Sequence, residues 1–559
     1  MDRRSFVRAV AKGAVAGGFA SASVASRVLA QPRVGADLVF VSGVVVTMNA
    51  RQPIAEAVAV RNGRIAAVGA GPDIEALRGP GTQVIDLGGK GLSPGLIDAH
   101  SHLAGFGQME LHFVNIRPPR VHSFESLRQV LAEAAAQRPR SEWIVARGFN
   151  EFDEGRFPMR QEIDPATPDN PALLIHWTGQ YGIANTLGLQ KANLLRADVA
   201  DPYGGQYGRD RRTGLPNGLL QHYPAIYSVY QPQMTEAEEA RAAEWACARF
   251  AAEGVTCVHD NFANQASAVQ YVRSERAGRL PLRVRVYPYV WNLEHCRLVL
   301  TRMQRYSGPL VRLQGIKLAI DGYPLMYEVP ARQEHLNIPM HPLDQFQAIV
   351  SAIHEAGLQV DVHAVGDRGV DITLDAFSRA AGGDRAVRDR RHRIEHYMFR
   401  REASIARTAD MGVPVCVQPL HLVIRGDDLR RKFGRGLADA LVPLASFRRA
   451  GVWTSLGADV PASPSHRPLD SIRSAMVRQT ASGVQLDRSE AVSFLEALEA
   501  HTIAAAYASF DENELGSVEV GKCADLAVWN TDLTKVGPAD IDRLQVVATY
   551  LAGKPTYQR

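Results

Sequence analysis

Residues 94–102, Pro-Gly-Leu-Ile-Asp-Ala-His-Ser-His, decide how the rest of this 559-residue chain is interpreted. An apolar segment begins at a Pro-Gly pair and ends in two histidines separated by one residue. Because side chains alternate between the two faces of a strand, His100 and His102 would point the same way. Histidine is the commonest metal ligand in proteins. The segment therefore predicts a strand that carries two candidate metal ligands at its end.

Seven further apolar runs follow, and helical patterns such as 345–356 and 370–380 separate most of them. The runs are 255–259, 282–290, 315–320, 359–363, 393–396, 413–417 and 452–457. Strands alternating with helices predict an α/β fold with a parallel sheet, and eight such strands predict a (β/α)8 TIM barrel. This count treats residues at about 103–240 as a long insertion after the first barrel strand. The insertion has candidate strands of its own at 143–146 and 173–177 and would cover the barrel mouth.

Both ends of the chain have a different pattern, in which short β-like runs alternate with turns. Near the N-terminus the runs are 38–41, 57–60 and 65–68, with an Asn-Gly turn before the last of them. Near the C-terminus they are 516–520, 524–529 and 546–551. We therefore expect one small β-sandwich domain from residues 31–90 and 505–559, beside a barrel formed by residues 91–504.

Composition excludes several classes of protein. The chain is 46% hydrophobic and 22% charged, which is typical of a globular protein and excludes a disordered one. The first 30 residues hold five basic residues and one acidic residue, so the remaining 58 basic and 58 acidic residues balance. This balance argues against a nucleic-acid partner. Five scattered cysteines without a Cys-x-x-Cys pair exclude a disulfide scaffold.

The first 30 residues have the pattern of a targeting segment. Arg3 and Arg4 open a twin-arginine motif, a small apolar stretch follows, and residues 28–30 offer a cleavage site. This pattern predicts a twin-arginine signal peptide, the export machinery as a transient partner, and a periplasmic location. The apolar stretch is too short to favour a spanning helix, so we expect no stable membrane insertion after processing.

Single polar residues stand within or at the ends of the later predicted strands. Lys317 lies in the fourth strand, His363 and His396 end the fifth and sixth, and Asp459 follows the eighth. The carboxyl ends of barrel strands converge on one mouth, so these side chains would face a common centre with the two histidines of the first strand.

Seven short motifs together resemble the amidohydrolase superfamily, and specifically its YtcJ-like (amidohydrolase 3) branch, which includes N-substituted formamide deformylases. They are residues 94–102, 316–322 (IKLAIDG), 363–367 (HAVGD), 393–396 (RIEH), 418–421 (QPLH), 458–461 (ADVP) and 521–528 (GKCADLAV). The resemblance covers about residues 36–555. It implies a metal-bearing barrel beside a β-sandwich built from both termini.

The resemblance also implies a divalent-metal site and a reaction. Matched residue by residue, the implied metal ligands are His100, His102, Lys317, His363, His396 and Asp459. In related binuclear enzymes the lysine is carboxylated and bridges two metals. We expect two Zn²⁺ ions, with Mn, Co or Fe as alternatives. The expected reaction is hydrolysis of an amide, formamide or cyclic amide by a metal-activated hydroxide, with Asp459 as general base and acid.

Departures from the family pattern give the candidate substrate-binding residues. Gln180 and Tyr181 stand where relatives usually have a Gly-His pair, and Tyr323 follows the Asp-Gly of the fourth strand. His421 of the QPLH motif is a fourth candidate near the mouth, whereas His259 suits a supporting role. The substrate is a small molecule, and a homo-oligomer is compatible with the sequence.

Three alternatives stay open at this point. Many deaminases of the superfamily carry a glutamate where this chain has Gly366, which counts against aromatic-base deamination. Lactone or carbamate hydrolysis would use the same metal site. A non-catalytic binding protein is disfavoured because the ligand set is complete. No G-x-S-x-G elbow or phosphate loop indicates another enzyme class.

Overall fold

A computed structural model describes residues 35–149, 152–231, 233–302, 306–322 and 339–559, and the account below concerns those residues. The leader predicted for residues 1–30 and the predicted substrate contact Tyr323 lie outside the described residues. The chain is a mixed α/β structure. Its strands are β1 (Leu38–Val41), β2 (Val44–Val46), β3 (Ile54–Ala55), β4 (Ala57–Arg61), β5 (Arg64–Gly69), β6 (Gln83–Asp86), β7 (Gly91–Pro94), β8 (Leu96–Ser101), β9 (Val114–Asn115), β10 (Ile144–Phe149), β11 (Ala172–His176), β12 (Tyr181–Ala184), β13 (Gln206–Arg209), β14 (Pro216–Gln221), β15 (Val255–Ala263), β16 (Arg283–Pro288), β17 (Val311–Leu313), β18 (Gly315–Ala319), β19 (Gln359–Ala364), β20 (Arg393–His396), β21 (Val415–Val417), β22 (Thr454–Leu456), β23 (Leu526–Trp529), β24 (Val546–Leu551) and β25 (Lys554–Gln558).

Helices connect most of these strands. They are α1 (Gly71–Glu75), α2 (Leu103–His112), α3 (Phe124–Ala136), α4 (Arg160–Ile163), α5 (Thr186–Lys191), α6 (His222–Val229), α7 (Glu236–Ala252), α8 (Gln265–Arg276), α9 (Leu293–Arg302), α10 (Leu343–Glu355), α11 (Asp367–Ala381), α12 (Glu402–Met411), α13 (Leu420–Phe433), α14 (Arg435–Asp439), α15 (Leu444–Ala450), α16 (Pro468–Val477), α17 (Phe494–Ala500) and α18 (Ile503–Ala508). Within the described ranges, none of the helices has the length and apolar character that crossing a membrane requires.

The centre of the fold consists of two parallel sheets whose strands coincide with the eight apolar runs of the sequence. The first sheet has the order β17-β16-β15-β8, and the second runs from β18 to β22 in chain order. Every residue of β8, β18 and β20 is buried, as expected for parallel strands that are covered on both faces. The short edge strand β17 has no counterpart among the predicted runs.

Backbone contacts connect the two parallel sheets at both of their edges. Tyr289, just after β16, forms a parallel bridge with Lys317 of β18. On the other side, the Asp459 amide donates a 2.7 Å hydrogen bond to the His100 carbonyl. Gly457 allows this approach, because a Cβ there would lie 2.5 Å from the His100 nitrogen. The carboxyl ends of strands from both sheets therefore face one region.

Strands from the two ends of the chain pair with each other. One sheet has the order β5-β4-β1-β6, and another has the order β25-β24-β23-β7-β2-β3. The rings of Phe40 and Tyr550 lie 5.1 Å apart in a shared apolar cluster. The Trp529 indole donates to the Ser93 hydroxyl at 2.8 Å, between residues 436 positions apart. These contacts hold β7 directly ahead of β8.

The strand predicted at 516–520 is wrong. Gly516 adopts a φ of +83°, a left-handed conformation that turns the chain, and Val520 is 67% exposed. The segment contributes one backbone contact to the neighbouring strands, from the Val518 amide to the Thr47 carbonyl at 2.7 Å. An apolar pattern of this length cannot by itself distinguish a strand from a packed turn.

The chain between β8 and β15 forms a separate six-stranded sheet in the order β13-β14-β12-β11-β10-β9, which we call the inserted sheet. One of its faces packs on α3 in an apolar cluster that contains Phe149 and Ile183. The opposite face packs on α5 and α6 with Leu173, Ile175 and Ile226. The exact domain boundaries stay predictions.

A buried ion pair joins the parallel strands to the C-terminal segment, and we expect its loss to destabilise the fold. Arg283 of β16 holds Asp525 through two hydrogen bonds of 2.7 and 3.1 Å. Replacing Asp525 by alanine leaves the buried guanidinium without a counter-charge and should lower the free energy of unfolding by about 3 kcal/mol. Urea denaturation measures this change.

The exposed pair of Arg473 and Asp542, 3.0 Å apart, provides the control for that measurement. Replacing Asp542 by alanine should leave stability almost unchanged, because exposed ion pairs contribute little. If the two alanine variants unfold at the same urea concentration as the wild type, the buried pair does not stabilise the fold.

Candidate metal centre

A pocket of about 40 Å³ lies at the carboxyl ends of the two parallel sheets. Side chains from both sheets and from the neighbouring segments line it. All six implied ligands are among them: His100, His102, Lys317, His363, His396 and Asp459. Residues that span 360 positions of sequence therefore reach one space.

The imidazole and carboxylate groups in this pocket lie close together. The Nε2 atoms of His100 and His102 are 3.4 and 3.1 Å from Asp459 Oδ1. The His396 ring centroid lies 4.8 Å from that of His100 and 4.3 Å from that of His363. His100, His396 and Asp459 each offer a ligand atom within 4.8 Å of the other two.

The backbone at two of these residues adopts left-handed conformations. His396 has a φ of +78° and Asp459 a φ of +56°. Such conformations cost free energy for residues with a Cβ and cluster at functional sites. Asp98 supports this arrangement, because it accepts the amides of His100 at 3.2 Å and Ala458 at 2.8 Å. Burial raises the pKa of Asp98 to about 7.

A layer of buried polar groups beneath the pocket orients the ligands. Glu395 contacts His100 Nδ1 and accepts a 2.6 Å hydrogen bond from Arg393 Nε. Arg393 also lies 3.0 Å from His259 Nδ1, which gives that histidine a supporting position. On the other side, His396 Nδ1 lies 2.6 Å from Gln418 Oε1. Because an amide oxygen only accepts, Nδ1 carries the proton and the lone pair of Nε2 is free for a cation.

Lys317 is buried, and among the described residues one carboxylate lies within hydrogen-bond distance of its amine. Its Nζ lies 3.4 Å from Asp361 Oδ1, a long contact, while the second Asp361 oxygen accepts from the Asn261 amide. Burial and the Glu395 charge raise the pKa of Asp361 to about 6, although the Lys317 ammonium opposes this. The lysine therefore has spare donor capacity in a buried setting.

Burial and neighbouring charges set the ionisation of the pocket residues. Burial alone would raise the pKa of Asp459, but the adjacent His100 and His102 imidazoles hold that pKa well below its usual range. Burial also lowers the pKa of His363 and His396 well below that of a free histidine. These two side chains are therefore neutral, which is the form of imidazole that binds metals.

Of the candidate substrate-binding residues that the structure describes, two line the pocket and one does not. Gln180 and His421 line the pocket, and the His421 ring centroid is 5.9 Å from that of His396. Tyr181 is not among the residues that line it, and its ring packs against Phe157 at 5.4 Å instead. Burial and the Arg425 charge lower the pKa of His421 to about 3, so it is neutral at physiological pH.

Four buried atoms of the implied metal ligands make no well-aligned hydrogen bond to any described residue. They are His100 Nε2, His102 Nδ1, His363 Nε2 and Asp459 Oδ1. A buried polar atom without a partner costs about 1–3 kcal/mol. Imidazole nitrogens and carboxylate oxygens are the donors that Zn²⁺ and similar ions bind. The chemistry of these residues therefore fits a divalent cation.

The chain matches a known protein family over most of its length. The model of a family described as "Amidohydrolase family" matches residues 83–557, which include every residue of the pocket. The chain belongs to the amidohydrolase family. The amidohydrolase is therefore a hydrolytic enzyme that acts on carbon–nitrogen bonds other than peptide bonds.

Three relatives share most of their length with the amidohydrolase. "Protein LONG AFTER FAR-RED 3" of Arabidopsis thaliana is 31% identical over 93% of this chain and 92% of the relative. The N-substituted formamide deformylase of Arthrobacter pascens is 28% identical, with 94% and 98% covered. The putative amidohydrolase YtcJ of Bacillus subtilis (strain 168) is 24% identical, with 92% and 98% covered. These matches confirm the YtcJ-like branch.

Solved structures share the fold of the amidohydrolase. An uncharacterized metal-dependent hydrolase from Pyrococcus horikoshii OT3 superimposes with a TM-score of 0.71 and 20% identity, covering 90% of this chain and 99% of the other. A fold of this family implies a divalent metal, which agrees with the donors gathered in the pocket.

The structure also adds residues that the sequence interpretation did not single out. Glu395, Arg393 and Gln418 contact the candidate ligands directly or through one another. They occupy the same short motifs as His396 and His421, so their position beside these histidines was the available signal.

Proposed function

We propose that the amidohydrolase cleaves the C–N bond of a small amide, formamide or cyclic amide, with Asp459 as the proton carrier. The observation that carries this proposal is the convergence of four histidines, a lysine and an aspartate in one pocket, with several buried donor atoms unpaired. The relationship to an N-substituted formamide deformylase supports the same kind of bond.

We further propose that the two parallel sheets close into a (β/α)8 barrel and that the end sheets form a β-sandwich. The contacts between Tyr289 and Lys317 and between Asp459 and His100 support closure, because they join both pairs of sheet edges. The apolar cluster shared by Phe40 and Tyr550 supports a sandwich made from both termini.

The proposed metal site consists of His100, His102, Lys317, His363, His396 and Asp459, holding two Zn²⁺ ions. A bound divalent cation would supply Lewis acidity to the substrate carbonyl and to the attacking water. Lys317 suits this site as a carbamate, because a bare ammonium repels cations whereas a carbamate offers two anionic oxygens. Its single long contact with Asp361 leaves the amine available for that modification.

The chain's own residues would move the proton and exclude solvent. Asp459 Oδ1, flanked by two imidazoles, is placed to take a proton from the attacking water and give it to the departing nitrogen. Gln180 and His421, which line the pocket, are placed to orient the carbonyl group. The rings of Phe262 and Tyr289, which also line the pocket, would limit the access of water.

Metal removal and reloading test the proposed function. Hydrolysis of N-(2-phenylethyl)formamide is followed by amine release, before and after chelator treatment, together with elemental analysis. We expect about two metals per chain, at least a ~100-fold loss of rate without them, and recovery with Zn²⁺. Hydrolysis that survives complete metal removal would contradict the proposal. So would the absence of turnover on formamides, amides and cyclic amides alike.

Replacing Glu395 by glutamine should weaken metal binding by about 10–100-fold. The carboxylate contacts the Nδ1 side of His100, and outer contacts of this kind orient a ligand and increase its basicity. Although burial and Lys317 lower the pKa of His100, Glu395 and Asp459 raise it to about 9. Zn²⁺ affinity is measured by competition with a chromophoric chelator.

Glu490 is a buried glutamate that is bonded to Ser446 and is not among the residues that line the pocket, and it provides the matched control. Glu490→Gln should retain wild-type Zn²⁺ affinity. Equal affinity in Glu395→Gln and wild type, with both proteins folded by circular dichroism, would show that Glu395 does not support the metal site.

A further inference from the structure

A second cavity, of about 660 Å³, adjoins the metal pocket and has no part in the reaction described above. Phe262 and Tyr289 line both spaces, so their rings form the wall between them. The two ring centroids are 4.6 Å apart, and Phe262 also packs 5.4 Å from the His102 ring. A substrate bound at the metal pocket could therefore extend past this wall into the second cavity.

Arg147 enters the second cavity from β10 of the inserted sheet. Its neighbours on that face are apolar. Ile175 lies opposite it on β11, and Leu173, two residues earlier on the same strand, lies on the same face. The strand register shifts just after Arg147, where Gly148 adopts a φ of +107°. Irregularities of this kind re-aim side chains next to functional sites. A single charged side chain thus projects from an apolar face into the cavity.

The Arg147 guanidinium has no ion pair or hydrogen bond to any described residue, and its Nε is buried. The Asp459 charge of the metal pocket attracts the guanidinium, but no described carboxylate forms an ion pair with it. Glu239 of α7 lines the same cavity but forms no ion pair with Arg147, Arg302 of α9 carries the same charge, and Arg117 is paired with Glu110 at 2.7 Å. An unpaired charge in a confined space is unfavourable, so this position suits a ligand that brings a negative charge.

Arg147 also lies beside the metal pocket. A Cβ added at Gly179 would be 3.3 Å from Arg147 Nη2 and 3.3 Å from Cε1 of Tyr223. Tyr223 lines the metal pocket, as do Thr178 and Gln180 on either side of Gly179. The guanidinium therefore stands where the two spaces meet, and one small molecule could touch both it and the metal site.

We infer that Arg147 binds a carboxylate of the substrate, so that the amides hydrolysed by this enzyme carry a carboxylate on the part that enters the second cavity. A guanidinium binds a carboxylate through two parallel hydrogen bonds, which fixes orientation as well as affinity. The rings of Tyr223, Phe262, Tyr289 and Trp291 around the junction suit an aromatic group on the same part of the substrate as the carboxylate. As regards the bond that is cleaved, the inference rests on the proposed function.

Two test compounds that differ by one group examine this inference. N-formylphenylalanine, as each enantiomer, carries a carboxylate that N-(2-phenylethyl)formamide lacks. For the metal-loaded wild type we expect kcat/KM to be at least ~10-fold higher for one enantiomer of the acid than for the neutral formamide. Arg147→Met should lower kcat/KM for the acid by about 100-fold and leave the neutral compound within about 2-fold.

Two further variants separate the role of Arg147 from general effects. Arg147→Lys keeps the positive charge but not the planar guanidinium with its paired N–H donors. Compared with Arg147→Met, it should recover part of the preference for the acid. Arg302→Met removes an exposed arginine that lines the same cavity and should leave kcat/KM unchanged for both compounds. An equal loss on both compounds in Arg147→Met, or no loss on either, would overturn the inference.

A binding measurement distinguishes failure of the inference from failure of the proposed function. 3-Phenylpropanoate carries the ring and the carboxylate but has no C–N bond, and calorimetry reports its binding to metal-loaded wild type and Arg147→Met. At least ~10-fold weaker binding in Arg147→Met, without hydrolysis of any amide, would support the inference and contradict the function. If the neutral formamide is hydrolysed and Arg147→Met binds 3-phenylpropanoate as tightly as the wild type, the result would support the function and contradict the inference. If the wild type neither binds 3-phenylpropanoate nor hydrolyses any of the amides, both the inference and the proposed function would be overturned.

Discussion

Replacing Asp459 by asparagine is expected to lower kcat for N-(2-phenylethyl)formamide by about 10³-fold, equivalent to about 4 kcal/mol of activation free energy. An amide cannot take up the proton that the proposed reaction places on Asp459 Oδ1. Asparagine is the appropriate replacement because it tolerates the left-handed backbone that Asp459 adopts, at a φ of +56°. Steady-state kinetics on metal-loaded protein measure the effect.

The control for this variant is the same substitution at Asp427, a residue of α13 that bonds the Ser482 hydroxyl at 2.6 Å. Asp427→Asn should retain wild-type kcat. Urea denaturation of both variants establishes that they are folded, and elemental analysis shows how much metal each retains. A folded Asp459→Asn protein that turns over at the wild-type rate would remove Asp459 from the proposed reaction.

Replacing Lys317 by alanine is expected to lower kcat by about 10³-fold and the metal content by one ion per chain. The buried amine is the site of the proposed carbamate, so its removal would take away an anionic group that helps to hold the cations. Short carboxylates such as propionate should restore part of the rate, because they can enter the space that the side chain leaves. Metal analysis and kinetics with and without propionate test both statements.

Lys522 offers a matched control, since it is another buried lysine but bonds the Glu512 carbonyl and Ser517, away from the pocket. Lys522→Ala should retain metal and show no response to propionate. If Lys317→Ala keeps two metals and the full rate, the lysine does not bridge them.

The sequence contains enough information to predict the parallel strands and the residues at their ends. Runs such as 359–363 (Gln-Val-Asp-Val-His) and 393–396 (Arg-Ile-Glu-His) each end in a single histidine at the position where the predicted barrel strand stops. His363 and His396 therefore stand out in the one-dimensional pattern. The turn at Gly516 does not, because its apolar residues pack without forming a strand.

The partners of these residues could not be predicted in the same way. The contact between Glu395 and His100 joins positions 295 residues apart, and period-two alternation says nothing about which strands become neighbours. Arg147 is a harder case. Its importance comes from the lack of an ion pair with any described residue and from the position of the inserted sheet beside the pocket, and neither property is visible in the local sequence.

The pairing of β7 with β23 determines when the enzyme can be completed during its synthesis. β7 directly precedes the strand that carries His100, yet its neighbour β23 begins only at Leu526. The hydrogen bond between Ser93 and Trp529 joins residues 436 positions apart, so β7 waits for almost the entire chain. Because domains generally fold as units once their parts have emerged, the nascent polypeptide cannot assemble this centre before β23 has been synthesised. Binding of the proposed metal would therefore follow the synthesis of β23.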